Sequence, residues 1–464
     1  MPVRIASLTP ILVACCLGFL VVQLDVSVVH VGLGALKEAF GTDLTGLQWV
    51  INSYALAFSA LLILGGTCGD KWGAKSAFTA GFATFTLGSI GCGLADSMTT
   101  LITMRVLQGL GAAFMVPTSL TLIRLSFENP DQRKSAVALW GACGGIALAA
   151  GPVMGGLLID YLGWRSVFLI NVPIGVLAIC LISRYAPASP RISKKIDAGG
   201  QASIAISVAA LTYALTESSG QGWTALTLSS LAIATFFLLV FLLVERQVQA
   251  PMLPARLAKN TMLVSMSLAG AVINLTFYGT VFVFSIYFQT ILEYDAFETG
   301  LSFIPLTAVL TLSTLISARV ARTISARRII TTGFIIQVVG FLALSQIDSE
   351  SPLWVLNGAL MLVGIGSACS VPSITNSMLA AVSKHDAGIA SGLMASARQL
   401  GGVIGVAVFG TMIAKSDTAA FAQGMSNAML VSALALALCL GVVLLLTRRP
   451  VAAPDAEQSV SQNL

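Results

Sequence analysis

Charge is scarce in this chain: only 10% of its 464 residues are Asp, Glu, Lys or Arg, where an ordinary soluble domain carries about 25%. So large a deficit excludes a water-solvated surface over most of the molecule. Histidine is scarcer, with two residues in all, which leaves no donor set for a metal centre. The eight cysteines (Cys15, Cys16, Cys68, Cys92, Cys143, Cys180, Cys369 and Cys439) fall in or beside apolar segments. None of their spacings suits a metal or redox site, so they read as small hydrophobes. No Gly-x-x-x-x-Gly-Lys-Ser/Thr loop appears and no nucleophile constellation, so nothing points to ATP or to an enzyme, and no cofactor is expected. A soluble catalytic or signalling block is also missing, which disfavours a membrane-bound enzyme or sensor. The net charge of +5 would suit a nucleic-acid partner only if the basic residues formed a patch, and they are scattered over short loops.

What is present is hydrophobic: 56% of residues, in runs that recur from near the N-terminus to about residue 447. A bilayer core needs about 20 apolar residues per helix. On that measure about fourteen spans are expected, roughly at 11–33, 48–67, 76–95, 99–122, 135–158, 165–183, 199–217, 225–244, 264–289, 298–318, 329–347, 352–373, 391–413 and 427–447. The fold class is therefore an all-α membrane protein. The first run contains Asp25 and His30 and no small-residue cleavage site, so it reads as a retained helix rather than a signal peptide.

Lys and Arg accumulate in cytoplasmic loops. With the N-terminus inside, those loops hold Arg4, Lys71, Lys75, Arg124, Arg133, Lys134, Arg184, Arg191, Lys194, Lys195, Arg246, Arg256, Lys259, Arg319, Arg322, Arg327, Arg328, Lys384, Arg448 and Arg449. The opposite loops hold Lys37, Arg165 and Lys415, and Arg105 and Arg398 lie inside spans. Twenty against three predicts cytoplasmic termini and checks the span count, because one missed helix would scramble everything after it. Trp49, Trp164, Trp223 and Trp354 sit near proposed helix ends, where interfacial aromatics gather.

The sequence also repeats. Gly109-Leu110-Gly111 leading to Pro117 in the fourth span is echoed 255 residues later by Gly364-Ile365-Gly366 leading to Pro372 in the twelfth. The basic loops after the second and tenth spans correspond, and so do the glycine-rich fifth and thirteenth. The expected organisation is two six-helix halves, 1–183 and 263–449, joined by 184–262 with an extra helix pair, and followed by a disordered polar tail, 450–464. Paired halves of this kind build a central site that rocking can expose to either side.

At this point the motifs resemble the fourteen-helix drug:proton antiporters of the major facilitator superfamily. The resemblance rests on Leu24-Asp25-Val26-Ser27-Val28-Val29, on Gln48-Trp49-Val50 through Tyr54, and on Gly66 through Lys75 with Asp70, Lys71 and Gly73. It continues in Arg105-x-x-Gln108-Gly109, Gly151-Pro152-x-x-Gly155-Gly156, Gly163-Trp164-Arg165 and Asn171-x-Pro173-x-Gly175. The second half adds Tyr287-x-Gln289, Gly388 to Gly392, and Arg398-Gln399-x-Gly401-Gly402. His30 stands where the family usually has Asn, and Lys71 where it usually has Arg. The resemblance implies proton-coupled export of small amphipathic drugs or antimicrobials by alternating access, from a bacterial inner membrane. It implies a small-molecule substrate, protons and lipid as partners, and a monomer. A dedicated exporter of one endogenous metabolite and a metabolite importer on the same fold remain alternatives.

Charges at membrane depth cost about 2.5–3.5 kcal/mol each on insertion scales, so they are usually functional. Asp25 is the only acid near the middle of a span, which makes it the candidate proton carrier with Arg105 as partner; the rival reading is a fixed pair that orients two helices. His30 is either a proton relay or a packing residue. On a wheel of about 100° per residue, Gln23, Ser27 and His30 cluster while Asp25 points nearly opposite, so only one face of the first helix can meet a cavity. Asn274, Tyr278, Ser285 and Gln289 form a polar stripe, expected to line the cavity unless it is a helix–helix seam; Tyr287 points away from it. Asn52, Gln108 and Arg398 complete the expected cavity. Gly66, Asp70, Lys71, Gly73 and Lys75 are assigned to gating, with Asp70 holding the loop. Gly151, Pro152, Gly155 and Gly156 serve either as a hinge or as a close-packing surface.

Overall fold

The computed structural model describes residues 5–189, 191, 197–248, 251–310, 313, 323–348, 351–383, 386–414 and 418–446. Outside them lie the tail 450–464 and the basic residues Arg4, Lys194, Lys195, Arg319, Arg322, Lys384, Lys415, Arg448 and Arg449.

Every regular element among the described residues is helical: α1 (Ile5–Val31), α2 (Leu33–Phe40), α3 (Leu44–Trp72), α4 (Ala74–Gly93), α5 (Met98–Ser126), α6 (Pro130–Leu162), α7 (Ser166–Leu169), α8 (Asn171–Tyr185), α9 (Ala198–Gln221), α10 (Ala225–Gln247), α11 (Ala255–Ala258), α12 (Thr261–Ile286), α13 (Ala296–Ser302), α14 (Ala326–Leu344), α15 (Leu353–Ala380), α16 (Ala387–Ile413) and α17 (Thr418–Leu446). Helices are what hydrocarbon permits, since each backbone group is satisfied within its own segment. Twelve of these helical stretches are long and apolar enough to cross a bilayer. The third expected span is α4, whose 20 residues are richer in glycine, serine and threonine and so less apolar. The tenth begins in α13, and residues 304–310 are also helical; the rest of it is largely outside the described residues.

Local chemistry sets the helix starts. The Asn129 carboxamide accepts from the Asp131 N–H at 2.9 Å, with Pro130 in the first turn, where its missing N–H costs nothing. Asp295 and Glu298 close a capping box at the head of α13. Gly73, at φ +91°, makes the turn between α3 and α4.

The echoed glycines of the repeat do the same packing job in both halves. A Cβ on Gly109 would stand 2.4 Å from the Tyr54 carbonyl oxygen, and one on Gly364 2.6 Å from that of Leu306. Likewise Gly111 meets Gly81 O at 2.6 Å and Gly366 meets Gly333 O at 2.4 Å. Small residues are what allow such close backbone crossings.

The described halves do not share one core throughout. At the end of the bundle that carries the basic loops, Ile11, Phe78, Phe82, Leu122 and Ile182 form a core built from the first half alone. At the opposite, far end, Val28, Leu33, Val50 and Phe168 merge with Phe282, Phe288, Phe341 and Phe409 of the second half. Between α3 and α16 runs α9, bonded to α3 along its length: Gln201 Nε2 donates to Ala60 O, Asn52 Nδ2 to Thr216 Oγ1 at 3.1 Å, and Ser219 Oγ to Gln48 Oε1 at 2.7 Å. α10 packs on the outside of α9 and exposes Phe236, Leu239 and Leu243.

Candidate functional site

Asp25 is 1% exposed and lies six residues before the C-terminal end of α1. Its carboxylate forms an ion pair with Arg105 of α5 through Oδ2. Oδ1 accepts from Gln108 Nε2 at 3.1 Å and from Asn171 Nδ2 of α8 at 3.3 Å. Gln108 also reaches Ser89 of α4 at 2.8 Å. Arg105 is held from its other sides, donating to Val50 O at 3.0 Å and to Gln108 Oε1 at 3.0 Å, with its guanidinium 4.4 Å from the Tyr54 ring centre. Five helices thus converge on one buried charge pair. Breaking such a pair by removing one partner costs about 3–5 kcal/mol. Gln108, expected on the cavity wall, belongs to this network instead: it lies one turn past Arg105 and follows it inward.

The other side of Arg105 faces a cavity between the halves. Val26, Val29 and His30 of α1, Ile51, Asn52, Tyr54 and Ala55 of α3, Tyr278 of α12, and Gln399, Gly402, Val403 and Val406 of α16 complete its lining. This answers the question of helix 1: Asp25 turns toward α4, α5 and α8, and the Val26–Val29–His30 face turns to the cavity. Ser27 donates to Leu148 O on α6 at 2.9 Å. Gln23, one turn earlier on that side, is half-buried and outside both cavity linings.

A second cavity lies behind the first, lined by Ser27, Leu148, Pro152, Phe277, Val281, Phe303, Leu306 and Thr307. His30 and Tyr278 border both cavities, with rings stacked at 6.2 Å and 14°. His30 is 1% exposed, and neither ring nitrogen has a hydrogen-bond partner. The hydroxyl of Tyr54 and Oδ1 of Asn52 are buried without partners too.

The predicted stripe of α12 is divided. Tyr278 lines the cavity; Asn274 accepts from Arg398 Nε at 3.3 Å, and neither of these two is in a cavity lining. Ser285 is buried with its hydroxyl unpartnered. Gln289 does not face the cavity: its Nε2 donates to Val31 O at 2.7 Å and its Oε1 accepts from the Gly34 N–H. Residues Tyr287–Ile291 form a π-helical turn, which changes the angular step that the wheel assumed. Tyr287 donates to Asp348 O at 3.1 Å, away from the cavity.

Gln289 is part of a seam joining the halves at the far end. Gln48 Nε2 donates to Val406 O at 2.9 Å and Ala407 O at 3.1 Å. The Phe297 N–H donates to Asp160 at 3.0 Å. The glycines of α6 fit the same seam: a Cβ on Gly156 would lie 2.5 Å from Phe297 Cα, and one on Gly300 2.3 Å from Pro152 O. Gly151 and Gly155 meet Ser27 and Val28 of α1 at 2.5 and 2.9 Å in the same sense. Gly151 and Gly155 thus pack α6 onto α1 within the first half, while Gly156 packs α6 against α13 of the second.

At the basic end, Lys75 Nζ donates to Ser183 O at 3.0 Å and Ala186 O at 2.6 Å, binding the α3–α4 turn to the last turn of α8. A cation there also complements the helix C-terminus. Gly66 packs on Pro117, Lys71 is exposed, and Asp70 is half-buried beside it. Tyr54 and Gln399, which stand in the sequence motifs without a cavity assignment, also line the cavity. The signal for Gln399 was available: residues 399, 402, 403 and 406 follow the i, i+3, i+4, i+7 rule of one helix face.

Comparison with known proteins agrees with this architecture. The chain is 31% identical over 397 residues (85% of it, 84% of the relative) to the methylenomycin A resistance protein of Streptomyces coelicolor. It is 35% identical over 408 residues (87% and 75%) to the multidrug resistance protein Stp of Mycobacterium tuberculosis, and 30% identical over 408 residues (87% and 76%) to the tetracenomycin C resistance and export protein of Streptomyces glaucescens. Among solved structures, a bacterial homologue of the human lysosomal transporter Spinster, in an inward-facing and unoccupied conformation, superposes with a TM-score of 0.69 at 16% identity, over 95% of this chain and 97% of that one. The family model described as Major Facilitator Superfamily matches residues 15–406. With its multi-pass helical architecture and central cavity, this chain is a transporter rather than an enzyme and belongs to the major facilitator superfamily.

Proposed function

We propose that this protein is a proton-coupled exporter of small amphipathic antimicrobial compounds, working by alternating access in a bacterial inner membrane. The observation that carries the reading is the placement of Asp25: a buried carboxylate whose guanidinium partner forms part of the wall of the cavity between the halves. The relatives named for resistance and export support the direction of transport.

In this reading the two six-helix halves, 1–183 and 263–449, rock about the cavity, while α9 travels with the first half through its bonds to α3. Asp25 and Arg105 lock α1 to α5. A proton on Asp25 removes the charge that holds Arg105 and loosens α1. That helix also carries the Val31 end of the Gln289 contact, so proton arrival at mid-membrane is transmitted to the far-end seam. A ligand can shift such an equilibrium only by binding the two states differently, and the proton does so through this pair. The excess of Lys and Arg in one set of loops supports a cytoplasmic N-terminus, C-terminus and Lys75 turn; the far-end seam is then the external gate, shut here. The unit of function is the monomer, since cavity and coupling pair lie within one chain.

The test is growth inhibition by a compound library in cells with and without the protein. Export predicts a raised inhibitory concentration for a subset of amphipathic compounds; uniform sensitivity across the library overturns it.

A further inference from the structure

The polar atoms left over in the central cavity define what it takes. Arg105 is the one charged residue in the lining of that cavity, and its charge is answered by Asp25. Among the described lining residues there is no unpaired charge of either sign. A permanently charged ligand would give up its hydration there without a counter-charge, which is the costliest form of burial. An uncharged ligand meets no such barrier.

The same lining carries three side chains with unsatisfied hydrogen-bonding capacity: both nitrogens of His30, the Tyr54 hydroxyl and Oδ1 of Asn52. Buried polar groups are almost always paired in folded proteins, so three on one cavity mark a place where a ligand supplies the partners. Tyr54 and a neutral His30 can each donate and accept, while Asn52 Oδ1 only accepts. They suit hydroxyl and carbonyl groups together. Between them lie the Tyr278 and His30 rings and the aliphatic walls of Val26, Val29 and Val403, a lining for a flat apolar body.

We propose that the cavity between the halves selects uncharged, oxygen-bearing polycyclic aromatic compounds and discriminates against lipophilic cations. This rests on the export reading and names its substrate class. His30 and Tyr54 are then ligand-binding residues, and Gln399, on the same wall, is a position where charge selectivity can be changed.

The experiment uses the full chain in lipid nanodiscs with two flat probes: 1,8-dihydroxyanthraquinone at mildly acidic pH, where it is uncharged, and ethidium, a permanent cation. The parental protein is expected to bind the anthraquinone at least tenfold more tightly than ethidium. His30→Phe and Tyr54→Phe each keep a ring and remove the polar atoms, and each should weaken anthraquinone binding about tenfold, as loss of one buried hydrogen bond implies. Gln399→Glu should raise ethidium affinity, with a monodisperse elution profile required of every variant. Equal or tighter ethidium binding by the parental protein overturns the proposal, as does binding of neither probe, or anthraquinone affinity unchanged in both ring variants. Resistance of cells separates the two claims: protection against cationic compounds alone would contradict the substrate class and leave export standing, whereas no protection against any compound would contradict export itself.

Discussion

Gly156 stands where the two halves meet, and adding one methyl group there should act on one conformation only. The Cβ of Gly156→Ala would lie 2.5 Å from Phe297 Cα, 2.6 Å from Ala296 O and 2.9 Å from Ala296 C. All three atoms are backbone, so no rotamer change relieves the clash; α6 and α13 must separate. Overpacking of this kind costs about 1–3 kcal/mol, and the cost falls on the state in which the far end is shut. In the opposite state the halves are apart at this level and the methyl group meets open space. The balance should therefore move toward the far-end-open state by about 5- to 150-fold. Spin labels at Lys37 and Glu293, both exposed at the far end and on opposite halves, report it as a growing population of longer distances, in a background with the eight cysteines replaced. Gly141→Ala on the same helix, where a Cβ meets nothing within 4 Å, is the control and should leave the distances alone. A distance distribution in Gly156→Ala identical to the parental one would refute the assignment of this surface to the gate.

Gln289→Leu removes the bonds to Val31 and Gly34 with little change of volume, weakening the same seam by about 1–3 kcal/mol; the label pair should again shift outward, and an unchanged distribution would remove Gln289 from the gate. Arg105→Ala leaves Asp25 buried without its guanidinium, so thermal stability in detergent should fall by about 3–5 kcal/mol and transport with it; a fully stable, active variant would show the pair to be dispensable. For topology, a reporter fused at Lys195 or after Arg449 should behave as cytoplasmic and one between Glu217 and Trp223 as external; an external signal from the tail would sink the orientation.

The architecture was readable in the sequence because the bilayer leaves few choices. Apolar runs had to be helices, and the repeat pointed to residues, Gly109 and Gly364 among them, that pack alike in both halves. Boundaries were less legible: α6 begins at Pro130, several residues before the expected start, although the Asn129-Pro130 cap was there to be read. The site was harder. A wheel fixes relative angles along one helix, as it did for Asp25 against His30, but which face meets a cavity depends on neighbours the wheel does not contain. It also assumes a constant step, and in the π-turn at Tyr287–Ile291 Gln289 turns to Val31 and Gly34 at the seam between the halves rather than to the cavity. Tyr54 and Gln399 stand in recognisable motifs but were not assignable to the cavity, because the cavity faces are mostly aliphatic, with one or two polar residues per helix.

In the proposed cycle Asp25 carries the proton that drives export. Asp25→Asn keeps the size of the side chain and much of its hydrogen bonding to Gln108 and Asn171 but cannot titrate, so it separates proton handling from packing. The measurement is substrate efflux in inverted vesicles under an imposed pH gradient, normalised to the amount of inserted protein. The variant should insert normally and lose uphill transport. Export at the parental rate that still responds to the gradient would contradict it and place the proton carrier elsewhere, with His30 or Glu217 next to be tested.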